Sequence, residues 1–182
     1  KGGFSSEADV SRDTAKNVEK ALISKGYKTK SIEADHKMIP FLLKNKNEID
    51  VIFNALHGSY GEDGKIQGIF EYMKIPYTHS GVKSSAIGMD KYLSKKIFIS
   101  NSIIVPKGEL FSKNEIIKKD PFKRPFIVKP ISEGSSLDIN LIKKNTKVGS
   151  VLNNKNLNNY LVEEYIPGTD LTVAILRGKA LG

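Results

Sequence analysis

The sequence contains no cysteine among its 182 residues, and its apolar runs are short. Without cysteine there is neither a disulfide framework nor a thiolate metal site. No apolar run approaches the roughly 20 residues that a helix needs to cross a bilayer. A cytoplasmic location is the simplest expectation from these absences.

Two common phosphate-binding motifs are also missing. Gly2 and Gly3 stand just before a predicted helix, but the spacing GxGxxG does not occur there, and GxxxxGK[ST] occurs nowhere in the chain. The sequence therefore supports neither a Rossmann dinucleotide site nor a P-loop.

The net charge of +9 raises the alternative of a basic nucleic-acid-binding protein. Nearly all the cations are lysines spread among asparagine and isoleucine, without the arginine clusters and interleaved aromatic residues of a stacking surface. Steep salt dependence of DNA binding would favour this alternative. What the charge does predict is a modest preference for anionic ligands.

The first part of the chain alternates predicted helices with one predicted strand. Residues 11–25 and 66–73, and residues 89–100 at the start of the second part, have helical apolar spacing, whereas residues 49–56 form a nearly continuous apolar run. Such a run is typical of a strand buried on both faces of a parallel sheet. The pattern predicts an α/β domain with a parallel sheet over residues 1–88.

The second part, residues 89–182, predicts an α+β arrangement with antiparallel strands. Strands are expected at 126–129 and 161–164, a short helix near 148–152 and a hairpin over 171–181. Ser112 and Glu115 have the spacing of a capping box. Because Gly2-Gly3 resembles a turn that follows a strand, and the hairpin ends in its second arm, we expect a piece of a longer protein that lacks a first strand.

The most informative motif is a short apolar strand with Lys129 at its exit. Pro130 then stops the strand, and the loop Glu133-Gly134-Ser135-Ser136 follows. One fixed cation beside a small hydroxyl-bearing loop suits a bound polyphosphate, although an ordinary strand-ending turn has the same pattern.

Other residues also have two interpretations. Glu7 could bind an ammonium group or complement the dipole of the helix that follows it. His57 is either a structural histidine or a ligand contact, because it lies in a glycine-rich loop at the exit of the 49–56 strand, where ligands of open α/β sheets gather. Lys91 near a helix N-terminus suits an anionic partner or is a solvated lysine. Glu163 and Asp170 could contact an adenine and a ribose, or be exposed acids.

Five pieces in a fixed order resemble the D-alanine–D-alanine ligase family of the ATP-grasp superfamily. They are GGFSSEADVS, NALHGSYGEDGKIQG, IPYTHSGVKSSAIGMDK, FIVKPISEGSS and VEEYIPGTDLTVAIL. The resemblance implies that ATP phosphorylates the carboxylate of one D-alanine, and that the amine of a second attacks the acyl phosphate. The dipeptide product is used in peptidoglycan synthesis.

The resemblance also implies roles for single residues. Glu7 matches the glutamate that holds the first substrate's ammonium, and His57 the histidine near its carboxylate. Lys91 and Lys129 match two lysines that contact ATP phosphates. Ser135 matches a serine of the catalytic hydrogen-bond network.

The remaining matches concern ATP. Glu133, Gly134 and Ser136 complete the loop that covers the phosphates, and Glu163 matches the acid at the adenine. Asp170 stands where the family usually has a ribose-binding glutamate, and Asp138 stands in place of a commoner glycine. These two departures leave a degenerate, non-catalytic homologue as an alternative.

In this family the ligands of Mg²⁺ or Mn²⁺ belong to a C-terminal ATP-grasp domain that the resemblance does not extend to, so no metal ligand is predicted here. We therefore expect the isolated 182-residue chain not to release phosphate from ATP with D-alanine. The family also implies a homodimer through the first domain. D-lactate or D-serine as the acceptor stays open, as in related carboxylate–amine ligases.

Overall fold

The computed structural model describes residues 1–134, 138–152 and 158–181. The first part contains α1 (Ala8–Ser24), α2 (Met38–Asn45), α3 (Lys65–Tyr72) and α4 (Val82–Met89), and α5 (Lys91–Ser100) begins the second part. Helix α1 buries Ser11 and Ala15 on one face, and Gly26 follows its end with a φ of +82°. The three helices predicted at residues 11–25, 66–73 and 89–100 are confirmed as α1, α3 and α5. In the described ranges, no helix combines the length and apolar character that crossing a bilayer requires.

The predicted parallel sheet of the first part is not shown. Within the described residues, the 49–56 segment makes one isolated parallel bridge, between Ile52 and Tyr77. Ile52 donates to the Pro76 carbonyl at 2.8 Å, and Thr78 donates to the Ile52 carbonyl at 3.0 Å. To continue the ladder, the Asn54 amide would donate to the Thr78 backbone carbonyl. It donates instead to the Thr78 hydroxyl, at 3.0 Å. This side-chain bond ends the ladder after one bridge.

The second part contains the antiparallel sheet that the sequence predicts. Its strands are β1 (Gly108–Ser112), β2 (Phe126–Pro130), β3 (Asn140–Ile142) and β4 (Asn159–Glu164), in the order β1-β4-β2-β3. Ile127 of β2 lies opposite Glu163 of β4, and Lys129 lies opposite Leu161. Because side chains alternate along a strand, Lys129 and Glu163 are on the same face, diagonal to one another.

The opposite face of this sheet forms the core of the second part. Helices α6 (Lys113–Lys118) and α7 (Val148–Val151) pack against it. The core side chains of this part are Ile116, Phe126, Val128, Ile142, Val148, Leu152, Tyr160 and Val162. A separate core under the first part contains Ala34, Leu42, Leu56, Ile66, Phe70, Met73 and Ile75.

The predicted hairpin near the end of the described chain is confirmed, although it is short. Strands β5 (Ile175–Leu176) and β6 (Lys179–Ala180) pair antiparallel. Arg177 and Gly178 both have positive φ angles, 50° and 75°. Two such residues in succession are typical of the tight turns that match the twist of a hairpin.

Ser112 and Glu115 form the predicted capping box at the start of α6. The Glu115 amide donates to the Ser112 hydroxyl at 3.3 Å, and the Ser112 amide donates to the Glu115 carboxylate at 2.7 Å. We expect Ser112→Ala to lower the free energy of unfolding by about 1 kcal/mol. Urea titration checks this, with Ser112→Thr as the control that keeps the hydroxyl. Equal stability of Ser112→Ala and the parent protein would contradict it.

Candidate functional site

Two of the predicted lysines meet where β2 ends and α5 begins. Asp90 caps α5 by accepting from the Leu93 amide at 2.8 Å. The Lys91 amide donates to the Ile131 carbonyl at 3.0 Å, and its Nζ donates to the Glu133 carbonyl at 2.5 Å. The loop after Lys129 is thereby fixed to the first turn of α5.

Lys91, Lys129 and the loop that follows Lys129 form a corner, the phosphate corner, whose electrostatics favour an anion. The pKa of Lys91 is lowered, first by burial and then by the positive charge of Lys129. Two ammonium groups close enough to affect one another repel, and a negative group between them removes that cost. The corner therefore suits a phosphate group.

A second cluster contains Glu163 between two lysines. Its Oε2 lies 2.5 Å from Lys129 Nζ, and its Oε1 lies 2.8 Å from Lys95 Nζ. The Lys95 ammonium also donates to the Pro106 carbonyl. Burial opposes ionisation of Glu163, but the hydrogen bonds and charges of Lys129 and Lys95 outweigh it, so the pKa of Glu163 is lowered.

Lys95 is a residue that the sequence analysis missed. It lies four positions after Lys91, so both side chains project from the same face of α5. The four-residue spacing from Lys91 could have identified Lys95 as a site residue. Lysines are so frequent in the chain, however, that this spacing is not distinctive. The partner of Lys95 is 68 positions away along the chain.

The lowered pKa of Glu163 predicts a pH dependence of stability. A carboxyl group with a depressed folded-state pKa contributes stability above its unfolded pKa, and this contribution is lost as the pH falls through the folded pKa. We therefore expect the free energy of unfolding to fall more steeply below pH ~4.5 in the parent protein than in Glu163→Gln. Chemical unfolding from pH 3 to 7 measures both slopes. Parallel curves would contradict the assignment.

Glu7 and His57 lie together on the other side of the site. The Glu7 amide donates to the Ser5 hydroxyl at 3.2 Å, and that hydroxyl donates to the His57 carbonyl at 2.7 Å. The His57 ring has its Nε2 3.0 Å from the Thr14 hydroxyl on α1. Glu7 is 6% exposed and precedes the first turn of α1. Its two interpretations, binding an ammonium group and complementing the helix dipole, stay predictions.

The Glu7 carboxylate also joins the two halves of the site. A Cβ atom on Gly58 would lie 2.5 Å from Glu7 Oε2, and one on Gly134 would lie 2.8 Å from the same oxygen. The glycine-rich loop after His57 and the loop after Lys129 therefore both approach this carboxylate. The Glu7 carboxylate is therefore close to the loop whose Glu133 carbonyl accepts from Lys91.

The His57 loop is held by buried amides that the sequence analysis did not single out. The Gly61 carbonyl accepts from Asn54 Nδ2 at 2.9 Å and from Gln67 Nε2 at 2.8 Å. The Gly58 amide donates to the Glu62 carboxylate at 2.7 Å. These bonds fix the loop on the first core.

Three other predicted site residues are not assigned contacts in this cluster. Asp170 is exposed and follows the end of β4. Ser135 and Ser136 lie outside the described residues, so their predicted roles stay predictions. Within the described ranges, no group of three or more His, Cys, Asp or Glu side chains could hold a metal ion.

The chain matches two family models. The model described as "D-ala D-ala ligase N-terminus" matches residues 36–80, and the model described as "D-ala D-ala ligase C-terminus" matches residues 98–181. A protein of Pelagibacter ubique named D-alanine--D-alanine ligase is 48% identical over 100% of this chain and 61% of its own length.

Solved structures give the same result. The crystal structure of D-alanine--D-alanine ligase from Bacillus anthracis is 36% identical, with a TM-score of 0.83 over 99% of this chain and 60% of that chain. The structure of the Bacillus anthracis enzyme complexed with ATP has a TM-score of 0.81 and 35% identity, over 99% and 62%. The chain thus spans about three fifths of the length of these relatives. These matches do not favour the nucleic-acid-binding alternative.

Proposed function

Since this chain belongs to the D-alanine–D-alanine ligase family, we propose that its protein is an ATP-dependent ligase that joins two D-alanines for peptidoglycan synthesis. The observation that carries the proposal is the approach of the Gly134 loop to the Glu7 carboxylate, beside Lys91 and Lys129. A carboxylate substrate and a terminal phosphate would be adjacent there. The ATP complex of the Bacillus anthracis relative supports ATP as the phosphate donor.

Two steps follow from this arrangement. A carboxylate oxygen of the first D-alanine attacks the γ-phosphorus of ATP, and ADP leaves. The amine of the second D-alanine then attacks the acyl carbon, loses a proton, and expels phosphate that carries the substrate oxygen. Activating the acyl group divides a difficult condensation into two easier reactions.

The residues of this chain contribute by positioning and charge. Glu7 would hold the ammonium of the first D-alanine, with His57 near its carboxylate. Lys91 and Lys129 would neutralise the phosphates, and Glu163 would accept a hydrogen bond from the adenine amino group. Fixed charges in a partly buried site cost no reorganisation during the reaction, which is why such groups accelerate phosphoryl transfer.

The proposal includes Mg²⁺ only because the family resemblance implies it. Mg²⁺ in nucleotide sites is held by one or two carboxylates together with substrate phosphates. The acids near the phosphate corner do not fit this role, because Glu163 is paired with two lysines and Glu7 is on the substrate side.

Isotope transfer tests the proposed reaction. The full-length protein is incubated with ATP and D-alanine labelled with ¹⁸O in its carboxylate, and phosphate and dipeptide are analysed by mass spectrometry. We expect D-alanyl-D-alanine together with one ¹⁸O in the released phosphate. ADP release that does not depend on D-alanine would count against the proposal.

Gly58→Ala is expected to affect the first substrate. The residue has a φ of +70°, and its new Cβ would lie 2.5 Å from Glu7 Oε2. We expect the KM for D-alanine to rise roughly tenfold, because small displacements of a binding group are costly. Gly26→Ala is the matched control, since Gly26 has a φ of +82° with no atom within 4 Å of its Cβ. Both variants pay the backbone strain of ~1–2 kcal/mol, so an equal change in KM would contradict the prediction.

A homodimer and a cytoplasmic location also belong to this proposal. Apolar side chains exposed on the first part, among them Ile39, Leu43 and Tyr72, support an interface there. Sedimentation velocity of the purified protein is expected to give twice the monomer mass.

A further inference from the structure

Lys95, Lys129 and Glu163 form one charge cluster with unequal members. The Lys95 side chain is 6% exposed and that of Glu163 9%, whereas that of Lys129 is 22% exposed. Each lysine occupies one oxygen of the carboxylate. The Lys95 ammonium also donates to the Pro106 carbonyl, so two acceptors hold it in place.

Lys129 is the more exposed of the two lysines. It stands at the exit of β2, where the loop to Glu133 begins, and its charge is felt by Lys91. A polyphosphate bound at this corner competes with Glu163 for the Lys129 ammonium. If Lys129 turned to a phosphate and Glu163 had no other cation, a buried carboxylate would be left unpaired, which is strongly unfavourable.

Lys95 removes this difficulty. Its ammonium stays on Glu163 Oε1 from the sheltered side of the cluster, on a helix whose first turn carries Lys91. If Lys129 left Glu163, Oε2 would become available to an amino group of a base, because Oε2 is the oxygen that Lys129 contacts. One carboxylate would then serve Lys129 in the free protein and a nucleotide base in the complex.

We propose that Lys95 is a positioning residue, which keeps Glu163 ionised and fixed so that Lys129 can leave it and bind the phosphates of the nucleotide. The inference rests on the proposed ATP-dependent function. It assigns to Lys95 no contact with ATP or D-alanine.

A double-mutant cycle in the full-length protein tests the proposal. The variants are Lys95→Met, Glu163→Gln and their combination, and the probe is inorganic tripolyphosphate, which has no base. Calorimetry measures its Kd, and thermal unfolding verifies that each variant is folded. Lys95→Arg is the conservative control that keeps the positive charge.

We expect Lys95→Met to raise the Kd for tripolyphosphate roughly tenfold, because Lys129 then stays on the carboxylate. Glu163→Gln is expected to lower the Kd or leave it unchanged, because nothing competes for Lys129. Adding Lys95→Met to Glu163→Gln should change the Kd by less than about threefold. Lys95→Arg should remain within about threefold of the parent protein.

Other results overturn the proposal. If Lys95→Met raised the Kd for tripolyphosphate by the same factor in the parent protein and in Glu163→Gln, Lys95 would act on binding without Glu163. Weaker tripolyphosphate binding by Glu163→Gln would mean that Glu163 does not compete for Lys129. This measurement tests the proposal even if Lys95→Met does not fold. Dipeptide formation by the parent protein is measured separately, so failure of the ligase proposal and failure of the Lys95 proposal are distinguishable.

Discussion

Glu7→Gln should lower kcat/KM for the first D-alanine by roughly 10²–10³-fold, while the affinity for ATP stays close to that of the parent protein. Glu7 is a buried carboxylate that lies against Gly58 and Gly134. In the proposed complex it accepts from an ammonium group in a site with little water, where charge-assisted hydrogen bonds are strongest. Glutamine has the same size but no charge, so the decrease in kcat/KM measures the contribution of the ion pair and not a change in the shape of the site.

Asp13→Asn provides the matched control for this experiment. Asp13 is an exposed acid on α1, the helix that Glu7 precedes, and its substitution removes the same charge from the protein. We expect Asp13→Asn to have the kinetics of the parent enzyme. If Glu7→Gln and Asp13→Asn had the same kcat/KM, Glu7 would not bind the substrate.

Lys129→Ala is expected to weaken ATP binding by about 100-fold. The substitution removes a cation from the proposed phosphate corner, beside Lys91. It also removes one of the two partners of Glu163, whose Oε2 is 2.5 Å from the lysine. Because Lys95 still holds the other oxygen of Glu163, the fold should survive and the loss should appear in affinity.

Calorimetric titration with ATP measures this effect, and Lys123→Ala is the control. Lys123 is an exposed lysine shortly before β2, so its removal makes the same change in net charge. The comparison separates a specific phosphate contact from the general attraction of a basic protein for an anion. ATP affinity that is unchanged in Lys129→Ala would remove this lysine from the site.

The sequence predicted those elements in which local pattern and packing agree. The short apolar run from Phe126 to Val128 predicted β2, and the Ser112–Glu115 spacing predicted the start of α6. Helices α2 and α4 were missed for local reasons. Pro40 lies in the first turn of α2, where it is compatible with a helix but reads as a break. Helix α4 contains Ser84, Ser85 and Gly88, so its apolar spacing is weak.

The site was harder to predict than the elements. The motifs identified Glu7, Lys91 and Lys129, because each stands next to a strand end or a helix start. They could not identify Lys95, whose role depends on a carboxylate from β4, or the approach of Gly134 to Glu7. Such contacts join residues more than 60 positions apart, and spacing along the chain does not report them. The domain boundary near Gly88 stays a prediction.

The strand order β1-β4-β2-β3 has a consequence for the order of events during synthesis. Strand β4 lies between β1 and β2, which do not pair with each other, so this sheet cannot close until residue 164 has been made. Glu163 is on that same strand, and until it arrives Lys95 and Lys129 have no common partner. Non-local pairings form late because they must first close long loops. The nascent chain therefore acquires its central strand and the counter-charge of its candidate nucleotide site in a single step.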